Sequence, residues 1–122
     1  MGATVNSRGN LVLGTKERKQ YTMPKSELDK ILNYNAKARE QKYITIYKDN
    51  LWRIDLDIGV WNKARIWVMK DYEETRNSFN CSLCTVYEYN GEIKTACDFP
   101  LPDKIIKKIH SFYKFLHEKN AI

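Results

Sequence analysis

The sequence has no long apolar run, no glycine-rich phosphate-binding loop, and only three cysteines and two histidines. Crossing a bilayer takes about 20 consecutive apolar residues, and no segment approaches that length. Residues 1–14 hold one short apolar stretch, at residues 11–13, so we expect no secretory leader. An odd number of cysteines without a leader predicts reduced thiols in a cytoplasmic protein that does not bind membranes.

The few cysteines and histidines do not complete a metal site or a nucleophilic triad. Cys81, Cys84 and Cys97 could bind zinc with His110 or His117 as fourth ligand, but a second Cys-x-x-Cys is absent. In a strand, the odd separation of the first two cysteines points them to opposite faces. The pattern therefore favours no metal, and it favours buried thiols at Cys84 and Cys97 over a disulfide bond between them.

A nuclease-like pattern is present but incomplete. Asp55 and Asp57 share a strand face, and the segment from Glu92 to Lys94 resembles the Glu-x-Lys of metal-dependent nucleases, which hold Mg²⁺ and orient a water. However, Glu92 adjoins a tight turn, and paired polar residues on a sheet face are usually solvated. We expect a non-enzymatic protein without a cofactor, and an enzyme stays the less favoured alternative.

The charge that is present lies at the two ends of the chain. The net charge is +6, composed of +3 in residues 1–20, +2 in residues 21–42 and +3 in residues 100–122, against −2 in residues 43–99. A polyanionic partner should therefore meet the flanks first.

The middle of the chain predicts an antiparallel β-meander. Alternating apolar residues indicate strands at residues 43–48, 51–58 and 64–70. Asn90-Gly91 predicts a two-residue type I′ hairpin that pairs Tyr89 with Glu92. The same register places Val86 opposite Thr95, and Cys84 opposite Cys97.

The first hairpin has to bring two apolar sets onto one face. A three-residue loop, Lys48-Asp49-Asn50, pairs Ile46 with Trp52 and Ile44 with Ile54, whereas a two-residue loop would place these sets on opposite faces. We therefore predict the three-residue loop, with its last residue in the left-handed conformation.

Two helices complete the predicted fold. Residues 24–41 form a helix with a narrow apolar stripe, which we expect at an edge or end of the sheet. A second helix begins near Pro102 and has a broad apolar face opposite a lysine face. The prediction is one α+β domain at residues 22–122, with an antiparallel five-stranded β-meander and the amphipathic C-terminal helix packed on it. Residues 1–21 are predicted to be a flexible basic arm.

Together these features favour a non-enzymatic protein that binds nucleic acid, DNA or RNA. The expected phosphate contacts come from the arm and the C-terminal helix, at Arg8, Lys16, Arg18, Lys19, Lys104, Lys107, Lys108 and Lys114. Secondary stacking on bases is expected from Trp61, Trp67, Tyr87 and Tyr89.

The alternative is a small accessory or inhibitor protein of a phage or mobile element. Short length and a composition rich in lysine, asparagine, isoleucine and tyrosine are compatible with that class. Such a protein would dock on a larger protein or nucleoprotein complex, or form a homodimer, through aromatic residues of the sheet.

Overall fold

The computed structural model describes residues 20–70 and 80–122. These ranges contain an antiparallel sheet whose six strands follow one another in sequence order. The strands are β1 (Tyr21–Thr22), β2 (Lys42–Lys48), β3 (Trp52–Ile58), β4 (Ala64–Lys70), β5 (Asn80–Tyr89) and β6 (Glu92–Ala96). The helices are α1 (Lys25–Ala38) and α2 (Asp103–Glu118). The α+β class and the antiparallel meander are confirmed, but the predicted number of five strands is one too few.

The strand missing from the prediction is β1. It is only two residues long, so it shows no alternation that a sequence pattern could reveal. Tyr21 pairs with Lys48 and Thr22 with Tyr47, which makes β1 an edge strand beside β2. Residue 21, where the arm was predicted to end, is thus already part of the sheet.

The β5–β6 hairpin has the predicted register. Tyr89 pairs with Glu92, and Val86 pairs with Thr95. Asn90 and Gly91 have φ of 51° and 79°, the left-handed values that a type I′ turn requires. The local turn chemistry was sufficient here because it fixes the register on its own.

The predicted register of the β2–β3 hairpin is wrong. The structure pairs Tyr47 with Ile54 and Ile44 with Leu56, and the register shifts between Thr45 and Tyr47, where Ile46 is the extra residue of a bulge. Ile46 and Tyr47 are both buried although they are consecutive. The rule that neighbouring residues face opposite sides does not hold across a bulge, and the choice of loop rested on that rule.

The conformation predicted for Asn50 is also wrong, because it is not among the residues with positive φ in the described part of the chain. Asp49 shapes this turn instead. Its Oδ1 accepts hydrogen bonds from the N–H groups of Leu51 at 2.9 Å and Trp52 at 2.8 Å. Such a carboxylate turn needs no left-handed residue.

Both helices cover the same face of the sheet. Leu28 and Leu32 of α1 join Ile109 and Phe112 of α2 in one apolar core with the inward side chains of β2, β3 and β4. Lys25 Nζ donates to Ser111 Oγ at 2.7 Å, which links the two helices directly. The placement of α1 at an edge or end of the sheet is therefore corrected, since its stripe is narrow only because α2 shares the face.

Helix α1 is also shorter than the predicted 24–41. It ends at Ala38 because Arg39 adopts a left-handed conformation, φ 56°, and donates its N–H to the Asn35 carbonyl at 2.8 Å. Asn35 itself is buried in the last turns of the helix. The sequence pattern missed this residue because an asparagine is not expected in an apolar stripe.

The buried carboxylate of Asp49 joins the β2–β3 turn to α2. Its Oδ2 accepts the Tyr47 hydroxyl at 2.5 Å and lies 3.1 Å from Lys104 Nζ. Burial alone would raise the pKa of Asp49, but hydrogen bonds from Tyr47, the turn N–H groups and Lys104 outweigh it and lower the pKa from its ordinary value.

We expect Asp49→Ala to lower the free energy of unfolding by about 2 to 4 kcal/mol, since it leaves buried donors without an acceptor. The ionised Asp49 stabilises the fold fully above the ordinary aspartate pKa of about 3.9, and the effect is lost as pH falls toward the lower folded pKa. Urea unfolding at neutral and acidic pH measures both effects.

Asp49→Asn serves as the pH comparison, and Glu88→Gln, at an exposed position, is the control. The difference in the free energy of unfolding between wild type and Asp49→Asn should become smaller as the pH is lowered below about 4. A difference that stays constant with pH would contradict the role given to the ionised carboxylate.

Candidate functional site

Two of the four lysines predicted on α2 are attached to the sheet. Lys104 forms the ion pair with Asp49 described above. Lys108 Nζ donates to Thr22 Oγ1 at 3.1 Å and lies 5.5 Å from the centre of the Tyr47 ring. Both side chains are thereby held on the side of α2 that faces β1 and β2.

The other two lysines, Lys107 and Lys114, are exposed on the side of α2 away from the sheet. Neither forms an ion pair with a residue in the described ranges. The arm residues predicted to bind phosphate lie outside the described residues: Arg8, Lys16, Arg18 and Lys19. The arm nevertheless joins the domain at residue 20, directly before β1, and β1 is bonded to Lys108.

We call the surface around the first two turns of α2 the lysine end; it comprises Lys104, Lys107 and Lys108. Strand β1 lies beside this surface, since Thr22 accepts the hydrogen bond from Lys108. The N-terminal ends of helices carry a partial positive charge, so the backbone adds to the field of the lysines.

The predicted aromatic residues fall into two separate places. We call the face of the sheet that neither α1 nor α2 covers the helix-free face. Tyr87 and Tyr89 are exposed on this face of β5, and Trp67 is half-buried on the same face of β4. Trp61 lies in the β3–β4 connection, at the end of the sheet where both helices terminate, and is 68% exposed. The structure thus does not bring the four aromatics together.

Two cation–ring pairs that the sequence did not reveal lie at this end of the sheet. The Arg39 guanidinium carbon lies 4.5 Å from the centre of the Trp61 ring, and Lys42 Nζ lies 5.7 Å from that of Tyr34. We call Tyr34, Arg39, Lys42, Tyr43 and Trp61 the aromatic corner. The cluster could not be predicted because it depends on where α1 ends, and the predicted end was three residues too late.

Asn35 fixes the shape of this corner. Its Nδ2 donates to the Gly59 carbonyl at 3.3 Å and to Asn62 Oδ1 at 3.4 Å, while its own carbonyl accepts the Arg39 N–H. The connection closes on itself through the Gly59 N–H, which donates to the Lys63 carbonyl at 2.8 Å, and through left-handed Asn62, φ 62°. Asn35 therefore holds the segment that carries Trp61 through its side chain, and Arg39 through its backbone carbonyl.

The strand carboxylates considered as metal ligands are engaged with basic neighbours. Asp55 forms an ion pair with Arg53 at 2.7 Å, and Asp57 forms one with Arg65. Burial alone would raise the pKa of Asp57, but hydrogen bonds from Gln41 and Arg65 outweigh it and lower the pKa. These groups neutralise one another on the helix-free face.

The cysteines are free thiols in different surroundings. Cys81 is exposed and Cys84 is buried, as expected from their opposite directions on β5. Burial raises the pKa of Cys84, so its reactive thiolate form is disfavoured. The described residues contain no group of three or more cysteine, histidine or acidic side chains that could hold a metal ion.

Neither α1 nor α2 is both long and apolar enough to span a bilayer. A groove of about 460 Å³ lies between β6 and the start of α2, lined in part by Cys97, Phe99, Leu101 and Ile106.

No family model matches this chain, and no curated protein or solved structure matches it either.

We expect the exposed Cys81 to react with a thiol reagent in the native state well before Cys84. Accessibility and pKa both protect Cys84, so its modification should require opening of the sheet. The time course of absorbance after adding Ellman's reagent measures this. Cys81→Ser should remove the fast phase and Cys84→Ser should leave it, whereas an unchanged fast phase in Cys81→Ser would contradict the assignment.

Proposed function

We propose that this chain is a non-enzymatic nucleic-acid-binding protein that contacts phosphates through its basic arm and the lysines of α2. The observation that carries the proposal is the bond between Lys108 and Thr22, 3.1 Å long. It joins the lysine-bearing helix to the first strand after the arm. The part of the chain that follows the predicted arm is thereby bonded to the helix that carries the other predicted phosphate contacts.

The charge of the lysine end supports phosphate binding. Lys107 is exposed beside Lys104 and Lys108, whose side chains are held by contacts with the sheet. Side chains that are already positioned lose less conformational freedom when they bind. Each phosphate that is neutralised releases condensed counterions, which makes such binding strong at low salt and sequence-independent.

The engagement of the acidic groups supports a binding role rather than catalysis. The carboxylates of Asp55 and Asp57 accept hydrogen bonds from Arg53 and Arg65, which leaves them poorly placed to coordinate Mg²⁺. Free thiols suit a reducing compartment, so we place the proposed function in the cytoplasm.

We expect binding to fluorescently labelled nucleic acid to weaken with salt, and to weaken further in Lys107→Gln/Lys108→Gln. A plot of log affinity against log salt has a negative slope, and removing two phosphate contacts should make it less steep by about 1.4 to 1.8. Fluorescence anisotropy across a salt series, with single-stranded DNA, duplex DNA and RNA as probes, measures both quantities.

The matched control is Lys94→Gln/Lys119→Gln, which removes the same charge from residues that pair with Glu92 and Asp29 away from the lysine end. Its slope should change less than that of the test variant. No binding to any probe at low salt would refute the proposed function. Equal slopes for the two variants would show that only net charge matters and would refute the role of α2.

A second candidate function is docking on a larger protein or nucleoprotein complex. It is favoured by Leu83, Tyr87 and Tyr89, which are exposed together on the helix-free face of β5. Exposed apolar side chains that cluster on one surface are typical of protein interfaces. A stoichiometric protein partner on purification, with no nucleic-acid binding, would support this candidate instead.

A further inference from the structure

We propose that the aromatic corner is a stacking site for unpaired bases, and that the nucleic acid bound by this protein is single-stranded. This inference rests on the proposed function and adds a second contact region to it. The lysine end would hold phosphates at the start of α2, and the corner would hold bases at the end of the sheet where both helices terminate.

The exposure of the corner points to a ligand with flat apolar faces. Tyr34, Tyr43 and Trp61 are 58%, 68% and 68% exposed, although the core of the same domain buries Tyr47 and Phe112 completely. An exposed indole forgoes the stabilisation that burial would give it. Three large rings left in solvent at one end of the sheet are therefore better explained by stacking than by folding.

Hydrogen bonds to α1 hold the segment that carries Trp61. Asn35 ties the segment that carries Trp61 to α1, and the described residues offer no hydrogen-bond donor to its buried Oδ1. A buried acceptor of this kind is destabilising, so the asparagine is costly for the fold alone. What the structure gains from Asn35 is a fixed position for the exposed ring, which lowers the entropy lost on binding.

Cations next to the rings define the chemistry of the partner. The Arg39 guanidinium lies over one face of Trp61, and Lys42 approaches Tyr34 in the same way. Lys37, in the last turn of α1, is exposed nearby. A base can stack on the ring surface that remains open while these cations approach its phosphates, and this pairing is typical of single-strand recognition.

A duplex does not fit this arrangement. Its bases are stacked on one another and present only their edges, so a ring at a protruding corner has no base face to contact. Helix α2 has 16 residues and is about 24 Å long at 1.5 Å per residue. A strand that follows α2 along its whole length covers about seven nucleotides at the 3.4 Å rise of a helical strand.

The test compares Trp61→Ala, Trp61→Phe and Val60→Ala. Val60 adjoins Trp61 and is exposed, so Val60→Ala removes apolar surface from the same place without removing a ring. Probes are labelled oligo-dT and oligo-U of about 12 nucleotides, within the range that such sites cover, and a duplex of equal length. Thermal unfolding of each variant confirms that the fold is retained.

We expect Trp61→Ala to weaken single-strand binding about 5- to 150-fold, the loss of one stacked base. Trp61→Phe should recover much of the loss because it restores a ring, and Val60→Ala should bind as wild type does. The salt slope of Trp61→Ala should stay unchanged, since stacking releases no counterions. Preference for oligo-dT or oligo-U would identify DNA or RNA as the partner, and either result supports the inference.

The outcomes separate this inference from the proposed function. No binding of wild type to any probe would refute both. Salt-dependent binding in which Trp61→Ala behaves like wild type, or in which the duplex binds as well as the single strands, would leave the proposed function standing and overturn the stacking site. Equal losses in Trp61→Ala and Val60→Ala would also overturn it, because they would indicate an apolar contact rather than a stacked base.

Discussion

The burial of one face of the sheet beneath both helices is the constraint on which the rest of this structure depends. Two helices side by side fill the core with Leu28, Leu32, Ile109 and Phe112, so that a single layer of strands is sufficient. Ionisable groups are then left for the opposite face, the helix surfaces and the two ends of the sheet. Both candidate contact regions lie at those ends, where turns and helix termini meet.

Features that local chemistry determines could be predicted from the sequence, whereas features that depend on long-range packing could not. The register of the β5–β6 hairpin could be predicted from Asn90-Gly91 alone, because the turn type fixes the register. The bulge at Ile46 could not be predicted, because it exists to bury Tyr47 beside it and so depends on α2 and Asp49. The end of α1 was likewise set by contacts of Asn35 with a distant connection, and neither propensity nor periodicity reports such contacts.

The candidate site shows the same division. A lysine face on α2 was apparent from helical spacing, yet spacing could not distinguish Lys104 and Lys108, which are held by the sheet, from the freely exposed Lys107 and Lys114. The pairing of Trp61 with residues of α1 needed three dimensions, since they are separated in sequence by β2 and β3. Charge patterns thus suggested the class of partner that we propose, whereas the proposed stacking site rests on the geometry of the structure.

The two ends of the molecule act through forces of different range. Charges at the lysine end attract a polyanion over about 10 Å at 0.1 M salt, whereas stacking on Trp61 operates only at contact. Attraction alone would hold any nucleic acid, in any register and in either form. In the proposed complex, a ring beside Arg39 would restrict binding to strands whose bases are free to leave their own stack. The proposal thus assigns selectivity for single strands to the geometry of one end and affinity to the charge of the other.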